Sequence, residues 1–397
     1  MTSTHGNGED RPQPPQSTSS FADGVKPLNI FIVGGSLAGL FCGILLKRQG
    51  HNVHILESAS SSAREGQAAG IGLAADIKRF FDQHDRLKHI PLGTPVNEIQ
   101  ILDADLKPAT IINVPYEMTT WDAAYYRLRA NFDGLVSPYC PDPPPTEPGE
   151  GEATYATNIK VLSVQPSTTA STTLTLSATD LSTSKPVTYT ATHVIAADGA
   201  NSTLRSSLYP NLQRHEPGYL IWRGVVPCAS LTPSLVARIA DKALLYPMNK
   251  SYVMLYTIPG AHGSLAPQKR AVNFAWYDYP PPSVPVSSIL TDTAGHTHRT
   301  TLPKGAMRPE IWSAQLARAR EMFHPDLLEI PEKLKEPFVS VIASLMSPAA
   351  TAYEGRMFFV GDALVLLQPN SGKGTNHAAV VKWPLRDVSP AKAFGLV

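Results

Sequence analysis

One apolar run near the start of the chain, LNIFIVGGSLAGLFCGILL at residues 28–46, constrains the possible folds more than any other feature. Its length approaches the ~20 apolar residues that cross a bilayer. However, Gly34–Ser36 interrupts the run early, and the basic pair Lys47–Arg48 ends it. The first part is rich in Ile, Val and Phe, as buried parallel strands are, and the second part is typical of a helix that Gly50 closes. The run therefore predicts a strand, a tight turn and a helix rather than a membrane span.

The turn inside this run has the spacing of a dinucleotide-binding fingerprint. Its three glycine positions are Gly34, Ser36 and Gly39, so serine replaces the middle glycine. Small residues suit such a turn because the backbone approaches a pyrophosphate closely and the helix N-terminus faces the phosphates. A second strand, HNVHILES, ends in Glu57, where a carboxylate suits a ribose diol. The alternative is a glycine-packed βαβ crossover without a ligand. The predicted nucleotide-binding residues are Gly34, Gly35, Ser36, Leu37, Ala38, Gly39 and Glu57.

Composition limits the classes of partner and compartment. The chain has 397 residues and a net charge of +1, so charge gives no argument for binding nucleic acid or an anionic membrane. Residues 1–26 are rich in Pro, Ser, Thr and Gly without an apolar signal region, and we predict a disordered leader there. The three cysteines are widely spaced, which favours a reducing compartment. We predict a cytoplasmic monomer or homodimer whose partner is a small molecule.

Changes in the predicted secondary structure along the chain divide it into a discontinuous α/β domain and an inserted β-rich domain. We predict the first domain at residues 27–205 and 355–397, with a Pro-rich linker at 137–153 before one strand, YATNIKVLSVQ. The second domain, at 206–354, contains strands such as YLIWRGVVP and AVNFAWYDYP. A hairpin near 96–115 is expected to join the sheet of the second domain.

Two further stretches carry motifs at the ends of predicted strands. VIAADGANSTLR contains Asp198-Gly199, followed by Ser202 and Arg205, between a strand and a helix. FFVGDALVLLQPNSGKGTN contains Gly361-Asp362 and then a Gly-rich turn that opens a helix. An Asp-Gly pair by itself is equally consistent with an ordinary turn, so the order of the three motifs along the chain carries the inference.

Together, the three motifs resemble the signature segments of the single-component FAD-dependent aromatic hydroxylases, the para-hydroxybenzoate hydroxylase class, over residues 28 to about 379. Shorter segments, of which Trp222-Arg223-Gly224 is the most specific, are similar to the 2,6-dihydroxypyridine 3-monooxygenase-like branch and its fungal relatives. The resemblance implies a Rossmann-like FAD-binding domain (GR2-type) with an inserted β-rich substrate domain. It also implies FAD, NADPH or NADH as co-substrate, and hydroxylation of an activated aromatic or heteroaromatic small molecule through a flavin C4a-(hydro)peroxide.

The same resemblance assigns individual residues. Asp362 follows a buried strand, where its carboxylate suits a ribitol hydroxyl, and the helix that opens near Thr375 would face the flavin edge that becomes negative on reduction. Relatives carry an FAD-contacting arginine where this chain has Thr120-Trp121, so we predict Arg129, on the same helix, as its substitute. The other predicted cofactor contacts are Asp198, Gly199, Gly361, Pro369, Gly372, Lys373, Gly374 and Asn376. The predicted substrate-pocket residues are Arg223, Tyr219 and Tyr246.

Two alternatives stay open. An NAD-dependent dehydrogenase shares the βαβ start, but it has no need of the Gly361-Asp362 segment. The other alternative is a non-catalytic or uncoupled FAD-binding remnant, because the chain ends soon after GTNHAA, where relatives continue into a long helix. On that ground we expect a truncated or differently spliced product in which catalysis is limited more than folding.

Overall fold

The computed structural model describes residues 26–60, 69–168, 170, 172–371 and 374–379. The predicted leader, apart from residue 26, and the segment after residue 379 lie outside the described residues. The strands are β1 Asn29–Val33, β2 Asn52–Leu56, β3 Gly70–Leu73, β4 Thr94–Leu102, β5 Pro108–Thr120, β6 Ala153–Ala156, β7 Ile159–Pro166, β8 Leu174–Asp180, β9 Lys185–Ala191, β10 His193–Ala196, β11 Leu220–Pro227, β12 Lys242–Met248, β13 Ser251–Ile258, β14 Ala271–Asp278, β15 Thr301–Leu302, β16 Phe338–Val341, β17 Leu345–Met346, β18 Thr351–Ala352, β19 Met357–Phe359 and β20 Val365–Leu366. The helices are α1 Leu37–Arg48, α2 Ala75–His84, α3 Trp121–Asp133, α4 Thr203–Leu208, α5 Pro233–Ile239, α6 Val286–Ile289, α7 Pro309–Met322, α8 Pro325–Glu332 and α9 Gly374–Ala379.

A six-stranded sheet with the order β18-β19-β10-β1-β2-β6 forms the first half of the molecule. All neighbours from β19 to β6 are parallel, and β18 adds an antiparallel edge. Alternate residues of β1 are buried on opposite faces: Ile30 and Ile32 pack against α1, α2 and α3, whereas Phe31 and Val33 pack toward the β7–β8–β9 sheet. Burial on both faces is the reason that β1 reads as a continuous apolar run.

A nine-stranded sheet with the order β15-β16-β11-β14-β13-β12-β4-β5-β3 forms the second half. The β4–β5 hairpin is part of it, because β4 pairs in parallel with β12. One face of this sheet is covered by α5, α7 and α8 and forms the largest apolar core. The opposite face turns toward the segments around Gly70 and Gln368. The predicted fold class, α/β and Rossmann-like with an inserted β-rich part, is confirmed.

The sequence predicts a helix over TTWDAAYYRLRANFDGL with Thr120 or Thr119 as its cap and Gly134 near its end, and it predicts that Gly50 closes the first helix. Thr120 caps α3, since its side chain accepts a hydrogen bond from the amide of Ala123, and Gly134 ends that helix in the left-handed conformation with a φ of 70°. Gly50, with a φ of 84°, follows α1. The expectation of one strand over YATNIKVLSVQ is wrong, because the chain turns at Asn158, with a φ of 61°, and divides it into β6 and β7 in different sheets.

A buried ion pair joins α3 to the end of α2. Arg127 Nη1 lies 2.7 Å from Asp85 Oδ2, and the two side chains are 4% and 3% exposed. Arg127 also donates to the carbonyl oxygen of Leu87, and Asn131 donates to the second oxygen of Asp85 at 2.8 Å. Arg127 lies two residues before the predicted cofactor ligand Arg129. Because its guanidinium forms this ion pair, its role is structural.

Asp85→Ala is expected to lower the free energy of unfolding by about 3–5 kcal/mol, because it leaves a buried guanidinium without its carboxylate. Chemical denaturation followed by circular dichroism measures the effect. Asp82→Ala, at a side chain that is 61% exposed on the same helix, serves as the control and should change the value by less than about 1 kcal/mol. Equal effects of the two variants would contradict the structural role of the pair.

Candidate functional site

Four neighbouring parallel strands end at the same edge of the six-stranded sheet. The order β19-β10-β1-β2 brings together the segments that follow these strands. Gly361-Asp362 follows β19, Asp198 follows β10, the Gly34–Gly39 turn follows β1, and Glu57 follows β2. Ligands of open α/β sheets bind outside the carboxyl ends of the strands. All three motifs recognised in the sequence thus meet at one place.

The turn after β1 needs glycine because other backbone atoms approach it closely. Gly34 has a φ of 104°, and a Cβ on it would lie 2.3 Å from the carbonyl oxygen of Ala197. A Cβ on Gly39 would lie 2.1 Å from the carbonyl oxygen of Gly34, and one on Gly35 would collide with the ring of Tyr155. The turn therefore leaves no room for a Cβ at these three positions, as in turns whose backbone approaches a phosphate.

Ser36 and Glu57 supply the polar side chains of this turn, the cradle at Gly34–Gly39. Ser36 is the N-cap of α1, and its hydroxyl, which does not accept a capping hydrogen bond, carries an O–H group that can donate to an anion. Glu57 is 4% exposed. It accepts hydrogen bonds from the amide of Gly35 at 2.8 Å and from the amide of Ala59 at 2.7 Å. It also accepts from the hydroxyl of Ser58 at 3.3 Å, so the carboxylate orients the backbone of the turn.

Arg205 joins the second motif to the third. Its buried guanidinium donates to the carbonyl oxygens of Asp362 and Ala363, each at 2.9 Å, and to that of Ala200. Asp198 Oδ2 accepts from the amide of Leu204 at 3.1 Å, whereas its buried Oδ1 has no hydrogen-bond partner within the described residues. An orphaned carboxylate oxygen at this edge is a position for a ligand hydroxyl or amide.

Asp362 is held against the first helix by its neighbour. A Cβ on Gly361, whose φ is 55°, would lie only 2.7 Å from Cβ of Ala38, so the Gly361-Asp362 turn packs directly on the first turn of α1. Burial raises the pKa of Asp362, and the charges of Arg205 and Arg214 offset this only in part. Burial likewise raises the pKa of Asp198, against hydrogen bonds from Ser202 and the Leu204 amide.

Arg129 lies beside the cradle rather than in it. Its guanidinium pairs with Asp133 at 2.8 Å and donates to the hydroxyl of Tyr125. It also stacks on Tyr155, with 3.6 Å between the guanidinium carbon and the ring centroid, and the Tyr155 hydroxyl donates to the carbonyl oxygen of Gly35. The contact of Arg129 with the cofactor stays a prediction, and the structure connects it to the turn through Tyr155.

The third motif is described in part. Pro369 is exposed at the start of a short 3₁₀ turn, Pro369–Ser371, and Gly374 begins α9, which packs with Ala378 in the same core as α1 and α2. Gly372 and Lys373, and the side chains of Thr375 and Asn376, lie outside the described residues. Gly199 has a φ of 76° and open space around it.

Two of the three predicted pocket residues share the open face of the nine-stranded sheet. Tyr219 donates to Gln368 Oε1 at 2.9 Å, one residue before Pro369, and Arg223 donates to the carbonyl oxygen of Gly70 at 3.1 Å. Tyr246 lies on the opposite face, 8% exposed in the core beneath α5, α7 and α8. The structure therefore does not bring Tyr246 to the other two, because strand β12 points it away.

Sequence reasoning missed the polar residues of β13 and β14 on this face. Asn273 is 1% exposed, accepts from the amide of Gly70 at 2.9 Å, and has a buried Nδ2 without a partner in the described ranges. Tyr252 and Tyr277 stack with 4.4 Å between their ring centroids. The signal in the sequence is the single amide in the apolar strand AVNFAWYD, which lies four residues before Tyr277 and therefore on the same face of the strand.

Asp362→Asn is expected to raise the stability of the ligand-free protein at pH 7. Because the folded-state pKa of Asp362 lies above its ordinary value of 3.8, ionisation costs stability as the pH rises from that value through the folded pKa. The gain should shrink toward zero as the pH falls to about 4. Urea unfolding across this range measures it, with the exposed Asp105→Asn as the control. A variant that is less stable than the wild type at pH 7 would contradict the assignment.

Within the described ranges, no helix has the length and apolar character that a membrane span needs. In the same residues, no group of three or more His, Cys, Asp or Glu side chains is arranged to hold a metal ion.

Comparison of the sequence with known proteins finds a matching family and a relative. The family described as FAD binding domain-like matches residues 217–344, within the β-rich part. The chain is 24% identical to the 2,6-dihydroxypyridine 3-monooxygenase of Paenarthrobacter nicotinovorans over 348 residues, which cover 87% of this chain and 78% of that protein.

Comparison with solved structures shows that other proteins share this fold. The 2,6-dihydroxypyridine-3-hydroxylase from Arthrobacter nicotinovorans matches with a TM-score of 0.74 and 21% identity, covering 89% of this chain and 81% of that one. HpxO of Klebsiella pneumoniae, complexed with FAD and uric acid, matches with a TM-score of 0.65 and 15% identity, covering 93% and 82%. The predicted resemblance to the FAD-dependent aromatic hydroxylases, and to their 2,6-dihydroxypyridine 3-monooxygenase-like branch, is confirmed.

Proposed function

We propose that this protein is an FAD-dependent monooxygenase that uses NADPH or NADH and O2 to hydroxylate an activated aromatic or heteroaromatic small molecule. The observation that carries the proposal is the contact between the open face of the nine-stranded sheet and the strand-end edge, where Tyr219 bonds Gln368, beside the turn at Pro369. On the same face, Arg223 and Asn273 both bond the backbone of Gly70 in the edge strand β3. A face with unpaired donors therefore meets an edge with a nucleotide cradle.

The described residues fit FAD. The Gly34–Gly39 cradle would hold the pyrophosphate, Glu57 the adenosine ribose, and Asp362 a ribitol hydroxyl. The orphaned Oδ1 of Asp198 supports a ligand at the same edge. When bound, FAD supplies the redox chemistry: it takes a hydride from the reduced nicotinamide and activates O2. The protein's own residues bind, orient and exclude water.

The sheet face supports a planar substrate with oxygen acceptors. Arg223 Nε and Asn273 Nδ2 are buried donors without partners in the described part of the chain, and such donors favour a carbonyl, phenolate or similar oxygen. Burial raises the pKa of Tyr252 to about 12 and also raises that of Tyr277, so both hydroxyls stay protonated and can donate. The guanidinium of Arg223 would stabilise negative charge on a ring oxygen, which makes the ring more reactive toward an electrophilic oxygen.

Relatives act on, or are complexed with, molecules of this kind. Their names include a dihydroxypyridine as substrate and uric acid as ligand, and both are hydroxylated or oxo heteroaromatic rings. For this chain we propose the same class, with Arg223, Tyr219, Asn273, Tyr252 and Tyr277 around the ring. Neither a dehydrogenase nor a non-catalytic remnant gains support from the comparisons.

The cellular setting belongs to the same proposal. The three cysteines, Cys42, Cys140 and Cys228, are free and buried, as is typical of a reducing compartment. We therefore place the enzyme in the cytoplasm, as a monomer or homodimer that acts on a small molecule. Size-exclusion chromatography coupled to light scattering measures the oligomeric state directly.

Glu57→Ala is expected to weaken FAD binding about 5- to 150-fold, which corresponds to about 1–3 kcal/mol, because a ribose acceptor and the anchor of the Gly35 amide are lost together. Titration of apoprotein with FAD, followed by quenching of flavin fluorescence, gives the dissociation constant. Glu152→Ala, an exposed carboxylate just before β6, serves as the control. Unchanged affinity in the Glu57 variant would reject its role.

Arg223→Met is expected to abolish the stimulation of NAD(P)H oxidation by substrate. Reduction rates of the holoenzyme would be compared across a panel of phenols and hydroxypyridines, with product identified by mass spectrometry. Arg238→Met is a matched control, since Arg238 also bonds one backbone carbonyl, that of Leu106, but on the helix-covered side. A wild type that no ring in the panel stimulates would point to a plain reductase or oxidase.

A further inference from the structure

One tyrosine hydroxyl holds the residues on both sides of Pro369. The hydroxyl of Tyr219 donates to Oε1 of Gln368 at 2.9 Å and accepts from Nδ2 of Asn370 at 3.4 Å. Burial raises the pKa of Tyr219, so the hydroxyl keeps the proton that it donates at neutral pH. Tyr219 lies directly before β11 in the nine-stranded sheet, whereas Gln368 and Asn370 belong to the third motif. A side chain of one sheet therefore fastens a turn that follows the other.

The turn at Pro369–Ser371 depends on such side-chain contacts. Pro369 has no backbone N–H, so its own backbone cannot donate a hydrogen bond. Pro369 and Asn370 are also exposed, so burial holds them only weakly. The turn leads into α9, which begins at Gly374 and packs with Ala378 in the core of α1 and α2. The two bonds of Tyr219 thus tie the start of this segment to the nine-stranded sheet.

The turn also reaches the aromatic stack on the open face of that sheet. Burial, and then the neighbouring Tyr219, raise the pKa of Tyr252, and hydrogen bonds with Tyr277 and Asn370 offset the rise only in part. The rings of Tyr252 and Tyr277 stack with 4.4 Å between their centroids, and the centroid of Tyr219 lies 6.4 Å from that of Tyr277. A planar ligand on this stack therefore adjoins side chains that are bonded to the turn.

We infer that Tyr219 is a positioning residue, which holds the Pro369–Ser371 turn at a fixed place relative to the open face. The inference rests on the proposed function, in which a ring lies on the open face and FAD lies at the strand-end edge. A hydroxyl has a single proton to donate, and that of Tyr219 goes to Gln368. Tyr219 therefore lines the face without donating to the ring, and it acts through the turn.

The position of the turn affects how completely the reducing equivalents reach the ring. In productive turnover, NAD(P)H, a proton and O2 convert the ring to its hydroxylated form and yield NAD(P)⁺ and water. In unproductive turnover, the same three reactants yield NAD(P)⁺ and H2O2, and the ring is unchanged. A displaced turn admits water and misplaces the ring, which favours the second outcome. The ratio of hydroxylated product to NAD(P)H consumed therefore reports the role of Tyr219.

Tyr219→Phe removes the hydroxyl alone and tests the inference. Hydrogen-exchange mass spectrometry of the full-length holoenzyme should show about fivefold faster exchange in peptides that cover residues 367–371, as expected for a lost hydrogen bond, and little change in β14. Asn370→Leu, at an exposed position, should act in the same direction. Tyr279→Phe is the matched control. Tyr279 is 45% exposed and lies 5.4 Å from Tyr219 between ring centroids, but its hydroxyl makes no hydrogen bond in the described part of the chain.

The kinetic test separates positioning of the turn from binding of the ring. In Tyr219→Phe, the ratio of product to NAD(P)H consumed should fall about threefold or more, H2O2 should rise correspondingly, and the FAD dissociation constant should increase. The KM for the ring should change by less than about twofold. In a Gln368→Met/Asn370→Leu background, Tyr219→Phe should have no further effect on the ratio, because both of its partners are already absent.

The outcomes distinguish this inference from the proposed function. Unchanged exchange over residues 367–371 in Tyr219→Phe, or a raised KM for the ring with an unchanged product ratio, would overturn the inference and leave the proposed function standing. Full additivity in the Gln368→Met/Asn370→Leu background would overturn it as well. Faster exchange and weaker FAD binding in Tyr219→Phe, for a wild type that hydroxylates no ring, would support the positioning role and overturn the proposed function.

Discussion

The close approach of Gly34 to the end of β10 is the contact on which the rest of the site depends. The amide of Gly34 donates to the carbonyl oxygen of Leu56 at 2.9 Å, and the amide of Ala197 donates to that of Val33 at 2.8 Å. The turn is thereby joined to the strands on both of its sides. A side chain at position 34 would meet the Ala197 carbonyl and push β1 and β10 apart. Glu57 and Asp198, which follow β2 and β10, would then be displaced relative to each other.

A second principle is that the site retains buried polar groups that nothing in the described chain satisfies. Asp198 Oδ1, Arg223 Nε and Asn273 Nδ2 are such atoms, and each unsatisfied group costs about 1–3 kcal/mol. Asp198 follows β10 at the edge of the six-stranded sheet, and Arg223 and Asn273 lie on β11 and β14 of the nine-stranded sheet. A ligand that pairs with these atoms removes this cost. The same unsatisfied groups therefore lower the stability of the free protein and raise its affinity for such a ligand.

The inserted sheet is joined to the strand-end edge of the first sheet through Tyr219, whose hydroxyl donates to Gln368 Oε1. Arg223 and Asn273 bond the backbone of Gly70 in β3, so they fix the edge strand of the nine-stranded sheet against its open face. Arg205 makes a further connection between two strand-end segments of the first sheet. Under the proposed function, a substrate on the open face would be positioned by the same framework that positions the cofactor.

The sequence by itself determined the local elements whose cause is local. The glycine spacing after β1, the Thr120 cap of α3 and its end at Gly134 follow from backbone conformation and helix-end hydrogen bonds, and the sequence alone was sufficient to find them. Tertiary structure decided which face each strand residue occupies relative to the other sheet. It separated Tyr246 from Arg223, committed Arg127 to Asp85, and brought Asn273 to Gly70, a contact that spacing does not reveal. The physical reason is that pairing register and sheet packing join residues far apart in the chain, and no pattern within one segment records its partner.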